Sequence, residues 1–333
     1  MRRPTLADVA AAAGVSAKTV SNVVLGRQEV SEATRQAVLA AVAQCGYEVN
    51  LAGRGLASGR TGRVAVAVPN IYQPYFAELA ERLILAFEAH GLTTMLWIGH
   101  DAAAERDAVL GARTRDVDGV ILCPHTVIPP EDAAVPRRPV VQLGGVPTSR
   151  WDCVVMGERE GAEAITRHLL ETGRRRIAVV WNGDPGTRPS DVRFAGHLAA
   201  LEAYGVPYDP ALVVCGSDWD RRASGYEAMV GLLRSGVSFD AALCINDAIA
   251  AGALRALRRS GVRVPEDVAV TGFDDTDEGE FTLPALSSVS PQQEEMVARA
   301  VDMLLERMGG HDGPPREVHT GAHIVVRASS AAP

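Results

Sequence analysis

The sequence has no run of eighteen or more apolar residues, which argues against a membrane-spanning helix. Its opening, Met1-Arg2-Arg3-Pro4-Thr5, leads straight into an amphipathic pattern without the apolar stretch of a secretory leader, so a cytoplasmic, nucleoid-associated protein is expected. The five cysteines (Cys45, Cys123, Cys153, Cys215, Cys244) are odd in number, scattered and without a C-x-x-C pair. That speaks against a disulfide framework and a zinc site, and each reads as a small buried hydrophobe. Nucleophile-elbow, P-loop and metal-ligand spacings are missing, and the histidines (among them His90, His100, His125, His168 and His197) stand at unrelated intervals. The expectation is therefore no enzyme, no catalytic residue, no metal and no cofactor. Lysine is nearly absent: Lys18 is the single one, every other basic side chain being arginine.

What is present fits a small module joined to a larger two-lobed body, since 333 residues exceed one typical domain. A 47% apolar and 22% charged composition is ordinary for a globular core. The net charge of −8 alone would disfavour nucleic acid, but its distribution is uneven. Residues 1–60 hold seven cations against four carboxylates, a net +3 that leaves −11 for the remainder. A basic head on an acidic body is the pattern expected when only the head meets phosphates.

Three short helical patterns fill the first 45 residues. Thr5 and Asp8 read as an N-cap with an acidic first turn, ahead of a stripe of Leu6, Val9, Ala10 and Ala13 ended by Gly14. Ser16 caps a second helix with Val20, Val23 and Val24 inward, closed by Gly26; Ser31 caps a third with Val38, Leu39 and Val42 inward. Helix, glycine-containing turn and helix at this spacing is the helix-turn-helix pattern. Residues 46–62 are glycine-rich with no continuous apolar face and read as a linker that folds only with a partner.

From Arg63 onward, strand-like runs (Val64–Val68, Thr93–Ile98, Gly119–Cys123, Val140–Leu143, Ile177–Val180, Leu212–Val214, Ala241–Ile245, Val268–Thr271) alternate with helical ones. The helical patterns are Tyr75–His90, Glu160–Thr172, Arg193–Tyr204, Gly225–Arg234, Ala248–Ser260 and Gln292–Met308. Repeated βα units predict mainly parallel sheets flanked by helices, and about 260 residues are more than one such sheet needs. Two similar lobes are expected.

In a helix-turn-helix the second helix enters the major groove. With its valines inward, Ala17, Lys18, Ser21 and Asn22 take the outer face. Lysine can donate to guanine O6 and N7, asparagine can pair with adenine N6 and N7, and Ala17 can pack on a thymine methyl. The plainer alternative is a solvated polar face.

The segments T-L-A-D-V-A-A-A-A-G-V-S-A-K-T-V-S-N-V-V (Thr5–Val24), V-S-E-A-T-R-Q-A-V-L (Val30–Leu39) and G-Y-E-V-N (Gly46–Asn50) resemble the head of the lac and galactose repressor family. Asn22 departs from it, because the family usually carries arginine there, and this shifts the expected operator preference. The resemblance implies a hinge helix at Asn50–Arg60 that orders on operator DNA. Leu56 would be its minor-groove wedge, unless it is simply an exposed linker leucine. The DNA contacts it implies are Thr5, Ser16, Ala17, Lys18, Thr19, Ser21, Asn22, Asn50, Arg54 and Leu56.

The likeness continues to about residue 327, through V-P-N-I-Y-Q-P-Y-F-A-E-L (Val68–Leu79), C-I-N-D-A-I-A-A-G-A-L-R-A-L (Cys244–Leu257), R-V-P-E-D-V-A-V-T-G-F-D-D (Arg263–Asp275) and L-P-A-L-S-S-V (Leu283–Val289). It implies a two-lobed type I periplasmic-binding-protein-like α/β body with parallel sheets behind the α-helical head. The domains expected are a head at 1–49, a hinge at 50–62 and a body at 63–330. The N-lobe takes about 63–157 and 290–318, the C-lobe about 158–289 and 319–330.

Asn246 and Asp274 follow hydrophobic strands, where open α/β sheets bind ligands. With Arg193, which matches the family's sugar-contacting arginine, they suit a polyhydroxylated effector. Trp219 falls near the family's sugar-stacking aromatic, and Tyr72, Gln73, Tyr75 and Phe76 would form the other wall. Asn246 could instead cap its helix, Trp219 could be core, and Asp274 could bond loop amides. Pro291 stands where several members place a polar effector ligand. The function implied is a homodimeric repressor binding double-stranded, pseudo-palindromic operator DNA under control of a carbohydrate. A purine-like corepressor is the alternative within the class, and a sugar-binding transport component the alternative outside it.

Overall fold

A computed structural model describes residues 4–24, 30–47, 60–124, 135–182, 191–218 and 220–331. The chain divides into two compact units, Met1–Thr61 and Gly62–Pro333.

The first unit is built from α1 (Leu6–Ala13), α2 (Ala17–Val24) and α3 (Glu32–Cys45). The Thr5 amide donates to Asp8 Oδ2 at 2.7 Å, fixing the start of α1. Gly14 ends α1 at φ 66°, a left-handed conformation that a side chain disfavours, and so turns the chain into α2. Ser16 Oγ accepts from the Thr19 amide at 3.1 Å, and Ser31 Oγ from the Thr34 amide at 3.3 Å. Val9, Val20, Val23, Val38, Ala41 and Tyr47 form the core, with Leu6, Ala13, Val24 and Val42 packed around it. Leu39, expected on the inner face of α3, is instead 46% exposed. In a short three-helix unit the contact stripe of α3 is narrow, and Val38 with Ala41 fills it. Gly26 lies outside the described residues.

The second unit holds two parallel sheets. Sheet A has the order β11-β5-β4-β3-β1-β2, from β1 (Arg63–Val68), β2 (Thr93–Ile98), β3 (Gly119–Leu122), β4 (Val140–Leu143), β5 (Asp152–Val155) and β11 (Glu317–His319). Sheet B has the order β7-β6-β8-β9, from β6 (Ile177–Asn182), β7 (Val213–Gly216), β8 (Ala241–Cys244) and β9 (Ala269–Thr271). All described pairings within both sheets are parallel. Beside the two sheets, β10 (Ser288–Ser290) pairs antiparallel with β12 (His323–Val325).

The flanking helices are α4 (Pro74–Ala89), α5 (Ala102–Leu110), α6 (Glu158–Glu171), α7 (Val192–Ala203), α8 (Arg222–Ser235), α9 (Asp247–Arg259), the short α10 (Asp277–Phe281) and α11 (Gln293–Met308). Continuous apolar strands such as Arg63-Val-Ala-Val-Ala-Val68 are buried on both faces, as helix-covered parallel sheets require. Helices α8 and α9 approach so closely that a Cβ on Gly252 would strike the Arg222 carbonyl oxygen, and one on Gly225 that of Ile249. Among the described residues, β5, β10, β11, β12, α5 and α10 stand beyond the expected set. No described helix is long and apolar enough to cross a membrane.

Candidate functional site

In the first unit, Ala17 and Lys18 are exposed at the start of α2, while Ser21 and Asn22, one turn further on, are half-buried. Lys18 and Asn22 share a face by their i, i+4 spacing, as do Ala17 and Ser21. The hydroxyls of Thr5, Ser16 and Thr19 carry local bonds: Thr5 Oγ1 donates to Asp8 Oδ2 at 2.7 Å, and Ser16 Oγ and Thr19 Oγ1 lie 2.8 Å apart. These three therefore shape the turn as well as facing outward. Asn50, Arg54 and Leu56 lie outside the described residues.

In the second unit, strand order reverses between β1 and β3 in sheet A and between β6 and β8 in sheet B. Such switch points at the carboxyl ends of parallel strands leave a crevice for ligand. Tyr72, Gln73, Tyr75 and Phe76 follow β1, Arg193 follows β6, and Asn246 follows β8. Asp274 follows β9.

Arg193 is the hub. Its Nε donates to Glu158 Oε1 at 2.9 Å and its Nη1 to the Ile245 carbonyl at 2.8 Å, and the guanidinium lies 3.9 Å from the Phe273 ring centroid. Asp274 Oδ1 stands 4.0 Å from Arg193 Nη1. Burial disfavours the Arg193 cation, but Glu158 and then Asp274 more than offset this and hold its pKa above the usual value. Asp274 is 4% exposed and sits at φ 109°, a backbone region that residues with side chains avoid. Burial pushes its carboxyl well above the ordinary range, against the pull of Arg193. A strained, buried acid facing one guanidinium is a common mark of a ligand site.

The amide-binding alternative considered for Asp274 falls instead on Asp247. That carboxylate accepts from the Thr276 amide at 2.8 Å and from the hydroxyls of Thr276 at 3.2 Å and Ser288 at 2.6 Å. Burial still raises its pKa to about 7. Asn246 Oδ1 accepts from the Ile249 amide at 2.9 Å and so caps α9, the alternative left open for it. Tyr75 and Phe76 are buried at 6% and 5% exposure and meet edge to face at 5.1 Å. Burial, followed by the nearby Asp274, lifts the Tyr75 phenol well above its usual pKa. Tyr72 is 43% exposed, with the Arg221 guanidinium 4.8 Å from its ring centroid. Trp219 lies outside the described residues.

Glu158, Asn70 and Asp220 join the site without having been foreseen. Glu158 opens the helix after β5, a strand the sequence did not suggest. Asn70 and Asp220 meet across the two lobes, Nδ2 donating to Oδ2 at 2.8 Å. Among the described residues no cluster of three or more metal-ligating side chains occurs. A groove of about 620 Å³ lies away from these residues, lined in part by Tyr226, Leu254, Arg255, Arg258, Arg259 and Leu283.

A three-helix unit with a polar face on its second helix, and a two-sheet body with converging acid and guanidinium, define a ligand-responsive DNA-binding regulator. Comparison with known proteins makes the class specific. Residues 5–50 match the bacterial regulatory proteins of the lacI family, and residues 166–330 match the periplasmic binding protein-like domain. The HTH-type transcriptional regulator CelR of Thermobifida fusca is 36% identical over 345 residues, covering 98% of each chain. Among solved structures, a transcriptional regulator CelR–cellobiose complex is similar at TM-score 0.70 and 33% identity, covering 98% of this chain and 100% of that one. The lac repressor dimer bound to operator and the anti-inducer ONPF is similar at TM-score 0.85 and 25% identity, covering 99% of both chains. The chain belongs to the lacI family of bacterial regulatory proteins. It is a helix-turn-helix transcriptional regulator, not an enzyme.

Proposed function

We propose that this regulator is a cytoplasmic, nucleoid-associated homodimeric repressor whose grip on a pseudo-palindromic operator is set by a sugar bound between its lobes. The observation that carries the effector assignment is Asp274: buried, in a strained backbone conformation, and facing Arg193 at 4.0 Å. Paired acceptor and donor groups of this kind recognise vicinal hydroxyls. The similarity to a protein solved with cellobiose supports the same chemistry. Arg193, Asp274, Asn246, Gln73, Tyr72, Tyr75, Phe76 and Trp219 form the effector site in this reading. The head reads base edges with Ala17, Lys18, Ser21 and Asn22, positioned by Thr5, Ser16 and Thr19, while Asn50, Arg54 and Leu56 engage the DNA from the hinge.

A purine-like corepressor is disfavoured by the aromatic side chains it would need. Tyr75 and Phe76 pack on each other, and Arg221 covers Tyr72. The second copy of the chain sits, in this proposal, on two exposed apolar faces. One is Phe281 and Leu283, at 77% and 75% exposure, beside the Arg255–Arg259 groove; the other is Leu85 and Ile98 on the N-lobe.

Ligand shifts operator occupancy only by its differential affinity for the two states, commonly about 1–3 kcal/mol. The test is operator binding and calorimetry with sugars and with hypoxanthine. Arg193→Ala and Asp274→Ala are expected to bind operator normally and ignore sugar. Tight hypoxanthine binding with no sugar response removes the carbohydrate assignment.

A further inference from the structure

Two buried polar atoms near this site have no hydrogen-bond partner among the described residues: Gln73 Oε1 and Asp220 Oδ1. Gln73 is 1% and Asp220 6% exposed, so neither is a surface group left to bulk water. Asn70 ties them together, its side-chain amide donating to Asp220 Oδ2 at 2.8 Å and its Oδ1 accepting from the Gln73 amide at 3.1 Å. Both unmet atoms are acceptors, and leaving a buried acceptor unmet costs about 1–3 kcal/mol. The pair therefore calls for a ligand that brings hydrogens. Burial, and then the charge of Asp218, lift the Asp220 carboxyl to about 7 against the pull of Arg221 and the hydrogen bond from Asn70.

The position of this pair sets the length of the ligand. Asp220 follows β7, at one flank of sheet B, whereas Asp274 follows β9 at the other, with β6 and β8 between them. Three inter-strand steps place the two carboxylates roughly 14 Å apart along the sheet's carboxyl edge. On the opposite wall, Tyr72 feels the charge of Asp220 and Tyr75 that of Asp274. One pyranose ring cannot reach both ends of such a trough, and two linked rings can.

We propose that Gln73 and Asp220 form a second, hydroxyl-accepting subsite that holds one ring of a disaccharide while Arg193 and Asp274 hold the other. The proposal rests on the carbohydrate reading above and deepens it. The test uses the full-length protein in calorimetric titrations with glucose, cellobiose, lactose and maltose, with Asp220→Ala and Gln73→Met as variants. Thermal melts of each unliganded variant check that it is folded.

The wild-type protein binds at least one of the disaccharides about tenfold or more tightly than glucose, the scale of one hydrogen bond to a charged group. In each variant the ratio of disaccharide to glucose affinity falls about fivefold or more towards one. If glucose and disaccharide weaken equally, Asp220 acts only as a cross-lobe tie and the subsite is refuted. Undiminished disaccharide binding in both variants refutes it as well, and in either case the carbohydrate reading stands. If the wild-type protein binds none of the four sugars, the carbohydrate reading itself falls and takes the subsite with it.

Discussion

Two buried aspartates, Asp247 and Asp274, divide tasks that look interchangeable on paper. Asp247 is surrounded by donors and holds the loop after β9 in place, whereas Asp274 faces one guanidinium and waits for more. The raised carboxyls have a thermodynamic consequence. Asp220 is held at about 7 in the folded body, by burial and then by Asp218, above the ordinary 3.8. The folded state therefore binds more protons than the unfolded chain between those values, and stability falls as pH rises through that window. Urea melts of Asp220→Asn should show a shallower decline from about pH 4 to 7 than wild type. An unchanged slope would mean that Asp220 titrates normally. On the head, Lys18→Ala should cost about 1–3 kcal/mol of discrimination between operator and random DNA. Equal losses on both sequences in a binding assay would show that Lys18 reads no base. Asp274 stood out in the sequence because it lies just beyond a strand end, whereas Arg193 and Tyr75, both within helices, stood out only through the resemblance to a known family. Asn70 and Asp220 did not, since their partnership spans 150 residues and leaves no local pattern.

Among the elements, β5 shows what hydrophobic patterning misses. Its four residues, Asp152-Cys-Val-Val155, are too few for a period and begin with a charge, yet all are buried. The charge is tolerated because Arg307 Nη2 and Arg316 Nη2 reach Asp152 at 2.7 and 2.8 Å, with the Arg316 amide also donating at 2.8 Å. Burial works against the carboxylate, but the hydrogen bonds of Arg307 and then Arg316 outweigh it and hold the pKa at about 2. This stabilisation persists above the unfolded value of 3.8 and fades as pH falls toward 2. Asp152→Ala should remove about 3 kcal/mol from the body at neutral pH, as breaking a buried ion pair does. A loss under about 1 kcal/mol in urea melts would show the arginines to be sufficiently solvated without it. Long elements were read closely: Gln293–Met308 and Ile177–Asn182 differ from expectation by one or two residues at an end. The helix caps at Thr5, Ser16, Ser31 and Gly14 were legible for a local reason, since side chain and backbone meet within a few residues.

At the scale of the whole molecule, the basic and acidic parts of the sequence coincide with the two compact units, so charge distribution marked the division that composition alone hid. The faces proposed for a second copy make a direct prediction. Phe281→Asp combined with Leu283→Asp should shift the protein to monomer in sedimentation experiments and weaken operator binding, while sugar binding by each chain persists. A double variant that remains dimeric would place the contact elsewhere. The pairing of β11 with β5 also bears on synthesis. Glu317 meets Cys153 across a gap of about 160 residues, so β5 lacks this partner until Glu317–His319 has left the ribosome. At bacterial elongation rates that interval lasts on the order of ten seconds or more, during which an apolar strand lies open to any neighbouring nascent chain.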